Sequence, residues 1–91
     1  MRMDAEQRRQ MVLSAALRVA ANQGLAAVTY ENVAAACPVD TSAATVRRYA
    51  GRIPDMQRNA VLRAGGSLRV RLAQQLVTLG IELIPSKVDA A

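Results

Sequence analysis

Residues 25–53 read LAAVTYENVAAACPVDTSAATVRRYAGRI, and two short helices with a turn between them are written into that stretch. Thr29 is a capping residue type directly ahead of Tyr30–Ala36, where Val33 and Ala34 would face inward. The segment should stop at Cys37-Pro38, because proline disfavours helical geometry in the residue before it. Val39 comes next as an expected apolar plug in the turn. Asp40, Thr41 and Ser42 offer three successive caps, a further helix should run from Ser42 to Tyr49, and Gly51 can stop it. Short helix, turn, short helix is the pattern of a helix-turn-helix unit.

The flanks extend the same helical reading. Asp4 can cap a first helix to Gln23, and Gly24 can end it in a left-handed turn. Met11, Leu13, Ala16, Leu17, Ala20 and Ala21 mark its expected buried stripe, with Arg8, Arg9 and Arg18 outside it. Beyond the unit, Pro54–Ile84 reads as helical, with Pro54 suited to a first turn and a weak point at Gly65-Gly66. The two glycines either kink one long helix or separate two. Val61, Ala64, Leu68, Leu72, Leu76, Leu79 and Leu83 recur at spacings of three and four. That seam packs either onto the first helix or across a dimer, and Leu68, Leu72, Leu76, Leu79 and Leu83 are its dimerisation candidates. Pro85 closes it and a frayed tail is expected after. The organisation expected is an all-α domain: a helix-turn-helix part over residues 1–64, and residues 65–91 as a C-terminal helix for packing or dimerisation with its tail.

Composition narrows the function classes. Of the 91 residues 52% are apolar, mostly Ala, Val and Leu, and Tyr30 and Tyr49 are the only aromatics, as closely packed helices would require. The charge is +5, which favours a polyanionic partner such as nucleic acid. It is unevenly spread: Arg47 to Arg71 holds seven arginines against Asp55, net +6, so the remainder carries −1. One cysteine, Cys37, allows no internal disulfide, and with no histidine there is neither a zinc site nor an imidazole base. The seven acids form no paired-carboxylate constellation, so no enzyme and no cofactor are expected. The charged start MRMDAEQRRQ does not resemble a signal peptide, and Leu76–Pro85 is too short to span a bilayer, so a cytoplasmic protein without a membrane partner is expected.

Residues 8–64 resemble the DNA-binding end of TetR-type repressors. Gly24, the pair Val28-Thr29, the pair Val33-Ala34 and the turn Cys37-Pro38-Val39-Asp40 keep that family's order of helix-ending glycine, capping threonine, apolar pair and turn. Tyr49 falls at the family's core phenylalanine and Arg52 at its phosphate-binding lysine. Three departures accompany the likeness. Pro38 replaces the turn glycine, one residue is added between Val39 and Tyr49, and Val46 and Arg48 stand where the family carries Tyr and Tyr or His. Only about 25 residues lie beyond the motif, against a large effector-binding and dimerisation domain in the family, so a family-type effector pocket is not expected.

The expected protein is a regulator of transcription, a repressor by the resemblance, that forms a homodimer on double-stranded DNA. Thr29, Tyr30, Arg48 and Arg52 would hold phosphates, while the small or polar start Thr41, Ser42, Ala43 and Ala44 of the second helix, and Arg47 in its later turn, would approach bases. Tyr30 has an alternative as a half-buried packing residue, and Tyr49 is expected in the core. Arg58, Arg63, Arg69 and Arg71 read as a solvated face. Cys37 reads as a small buried hydrophobe. The rival reading is a protein-interaction or inhibitor module on the same scaffold, its arginines meeting an acidic protein partner.

Overall fold

A computed structural model describes residues 2–83. Among them the chain is all-α: α1 (Ala5–Gln23), a 3₁₀ turn (Leu25–Ala27), α2 (Tyr30–Ala36), α3 (Ala43–Ala50), α4 (Ile53–Arg63) and α5 (Gly66–Thr78), with no strand. No helix among the described residues is long and apolar enough to cross a membrane. The expected seam position Leu83 is the last described residue; the Pro85 stop and the tail lie outside the described residues.

α1 is the hub, packed against every other helix. Asp4 starts it with a capping box: its carboxylate accepts from Gln7 N (2.7 Å), and the Gln7 side chain accepts from Asp4 N (3.0 Å). Met11, Val12, Leu13, Ala15, Ala16, Val19 and Ala20 are buried. At 100° per residue these positions cover about 200° of the helix circumference. The stripe read from the sequence is about as wide but turned around the helix: Val12, Ala15 and Val19 belong to the buried face, while Leu17 and Ala21 are only half-buried. A helix with neighbours on several sides buries more than one stripe, and its alanines let those neighbours approach closely.

Gly24 ends α1 at φ 94°, ψ 162°. This is an extended positive-φ conformation open essentially to glycine alone, not the left-handed helical cap expected. It aims Leu25 into the core, where Leu25 and Val28 are fully buried. Two glutamines then satisfy the Leu25 peptide groups. Gln75 Oε1 from α5 accepts from Leu25 N (2.8 Å), and buried Gln57 Nε2 from α4 donates to Leu25 O (3.0 Å).

The paired glycines separate two helices. α4 ends at Arg63 and α5 begins at Gly66, whose φ is 57°. α5 stops earlier than the seam suggested, at Thr78. Gly80 (φ 75°) closes a Schellman motif in which Gly80 N donates to Val77 O (2.9 Å) and Ile81 N to Leu76 O (3.1 Å). Ile81 packs back on the core, as the residue after such a cap commonly does.

The dimerisation candidates divide accordingly. Leu72 and Leu76 are fully buried inside the chain, so they are core residues and not a free surface for a second copy. Leu68 and Leu83 are half-buried against the same core, and Leu79, at the helix end, is exposed. The apolar side chains of α5 that do face outward are Val70 (60% exposed) and Val77 (76%), which the seam did not include.

Candidate nucleic-acid interface

α2 is short, and its ends are tied by side chains. Thr29 Oγ1 accepts from Asn32 N (3.1 Å), and Asn32 Nδ2 donates back to Ala27 O (2.8 Å). At the other end Arg18 Nη2, reaching from α1, donates to Ala36 O (2.9 Å). Its charge lies where the helix leaves unpaired carbonyls and a partial negative charge. Cys37 comes next with ψ 142°, the extended geometry that Pro38 imposes.

The turn from Cys37 to Ser42 is six residues long, longer than the three or four usual between such helices. Val39 is not a plug: it is 51% exposed. Val33 and Val46, both fully buried, already supply the apolar contact of α2 and α3 with the core. The longer turn stands clear of them, closed by Thr41 Oγ1 donating to Val39 O (2.8 Å). Cys37 is half-buried. Burial pushes its thiol up from the ordinary range, opposed by the Thr41 hydroxyl and the Arg18 charge. The thiol thus stays protonated at neutral pH and behaves as a small apolar group.

Ser42 begins α3. Its Oγ accepts from Thr45 N (3.1 Å) and lies 3.0 Å from Thr45 Oγ1. Of the five residues expected toward bases, three thus serve the framework: Thr41 closes the turn, Ser42 caps the helix and Ala43 is half-buried. Val46 points into the core, and half-buried Ala43, Tyr49 and Ala50 flank it. The opposite face consists of Ala44, Arg47 and Arg48, all exposed, and ends at Gly51. Ala44, one of the small residues expected at the start of the helix, is exposed there.

The exit from α3 is held by Tyr30, whose hydroxyl donates to Gly51 O (2.7 Å). That proton, expected at a phosphate, instead joins the start of α2 to the α3–α4 turn and sets the position of Arg52, the next residue. Gly51 itself has φ 78°.

The arginines fall into two groups. Arg18, Arg58, Arg63 and Arg71 are tied within the chain. Arg63 donates to Gln10 Oε1 (2.8 Å) and Ser14 Oγ (3.0 Å), Arg71 to Ala21 O (3.2 Å), and Arg58 pairs with Asp55 (2.8 Å) and donates to Glu82 O. The expected solvated face is thus largely a set of ties between helices, with Arg69 left outside it. Arg47, Arg48 and Arg52 have no hydrogen-bond acceptor and no acidic partner among the described residues. Arg48 instead rests over the Tyr49 ring, 5.9 Å from its centroid. A fourth cation lies at the leading end: half-buried Arg8 of α1 lines a small cleft of about 110 Å³ with Asp40, Thr41, Ser42 and Thr45. From sequence Arg8 could be placed only outside the α1 stripe, because its neighbours come from a turn some thirty residues away.

Compared with known proteins, the chain matches no family model, no curated protein and no solved structure.

Proposed function

We propose that this chain is a sequence-specific DNA-binding regulator of transcription, with α2 and α3 as its helix-turn-helix and α3 as the helix that enters the major groove. One observation carries the reading: Arg47, Arg48 and Arg52, with no hydrogen-bond acceptor or acidic partner among the described residues, lie along and just past the outer face of α3, while the arginines elsewhere in the same basic stretch are largely committed to internal ties. Guanidinium groups left free on one face suit phosphate and base edges. The major groove, about 12 Å wide, admits one helix of about that diameter. Asp55, the sole acid between Arg47 and Arg71, is paired with Arg58.

The resemblance to TetR-type repressors supports the same reading and belongs to the proposal. A homodimer on a palindromic site also belongs to it, and a second copy would have to avoid Leu72 and Leu76, which are committed to the core.

The test is binding of the full chain to duplex DNA across a salt series. Each phosphate neutralised contributes about −0.9 to the slope of log affinity against log salt. Arg48→Ala and Arg52→Ala should each weaken binding to all sequences and flatten the slope by about one. Binding that is absent at low salt, or indifferent to both changes, overturns the proposal. Retained affinity for an acidic protein alone would favour an interaction module.

A further inference from the structure

The three cations at α3 are not equivalent. Arg48 is turned onto the Tyr49 ring, toward the flank of the helix, and Arg52 lies beyond the helix end. Arg47 projects from the outer face with no acceptor among the described residues, one helical turn after the exposed methyl of Ala44.

We infer that the DNA site of this chain contains a guanine read by Arg47, within a base-pair step or two of a thymine whose methyl group meets Ala44. The inference rests on the proposed entry of α3 into the major groove. The inventory of that helix carries it. Ala43–Ala50 has no Asn or Gln, the side chains that pair with adenine N6 and N7, and no Asp or Glu to accept from the cytosine amino group. Thr45 is half-buried and its hydroxyl lies against Ser42. Arg47 is left to read a base, and the two N–H groups of its fork match guanine O6 and N7. Ala44 has no polar side-chain atom. A polar base edge set against it would lose water and gain no hydrogen bond, whereas a thymine methyl loses nothing. Three residues of helix advance about 4.5 Å, against about 3.4 Å per base pair, so the two contacts fall on the same or adjacent steps.

The experiment is selection of duplexes from a randomised pool by the full-length chain, repeated with Arg47→Ala and Arg47→Lys. The enriched site should contain a fixed guanine with a thymine within two base pairs. Lysine keeps the charge without the fork, so Arg47→Lys should bind random-sequence DNA within about twofold of wild type while losing about tenfold of the guanine preference. Two substitutions in the selected duplex isolate the atoms. Replacing the guanine by 7-deazaguanine removes the N7 acceptor and should also cost about tenfold in the wild-type chain alone. Replacing the thymine by uracil removes one methyl and should cost about fourfold. DNA binding with no enriched guanine, or a guanine preference that survives in both Arg47 variants, overturns the inference and leaves the proposed function standing. Absence of any DNA binding overturns both.

Discussion

At the level of single residues, the positions that begin and end helices carry much of the design. Ser42 shows how one side chain links stability to the proposed interface. Its hydroxyl caps α3 through Thr45 N, yet the residue is exposed at the leading end of the outer face. Replacing it with alanine should cost about 1 kcal/mol of stability through the lost cap. Aspartate is an equally good cap and should keep the melting temperature. It would also set a negative charge at the end of α3 that is proposed to face phosphates. Ser42→Asp should therefore melt like wild type and bind duplex DNA more weakly than Ser42→Ala, as a thermal melt and a titration of each variant would show. Equal DNA affinity of the two variants would place the start of α3 away from the duplex.

Among the helices and turns, what could be read from sequence depended on how local the cause was. Asp4 and Thr29 as caps, Pro38 as a stop and Gly51 as an end all act within a few residues, and each was legible; the cap of α3 was legible only as one of Asp40, Thr41 and Ser42. The direction of the buried face of α1 was not, because it depends on which helices pack against it. The internal partners of Arg18, Arg63 and Arg71 were equally hidden, since each reaches 18 or more residues along the chain. Gly80 was visible as a residue but lost under the continuing leucine period, which carried the expected helix past its true end. The candidate site was legible in part: Arg47, Arg48 and Arg52 stand out by charge and, for Arg52, by the resemblance, and Ala44 by its small size at the helix start, whereas the inward tie of Tyr30 needed the packing of α2 against the α3–α4 turn. The packing of the leucine seam can be checked directly. Leu72→Ala should cost about 2–5 kcal/mol, the usual range for emptying a core leucine site. The loss should be independent of protein concentration, because Leu72 packs within its own chain. A destabilisation that vanishes on dilution would instead assign Leu72 to an interface between chains.

Across the whole molecule, the basic charge does two jobs with one residue type. Guanidinium groups with fixed forks pin α4 and α5 to α1 and close the end of α2, and the same residue type is left unpaired on α3 and just after it. The fold thus presents a small apolar methyl and three cations on an edge whose backbone is held by the Thr29 and Ser42 caps and by the Tyr30–Gly51 tie. Whether that edge meets DNA can be seen in a map of amide chemical-shift changes, recorded on the isotope-labelled chain as duplex DNA is added. The largest changes should fall on Ala44–Arg52 and on Thr29 and Tyr30, with α5 little affected. Changes centred on Gly66–Thr78, or none at saturating DNA, would rule out α3 as the DNA-facing helix.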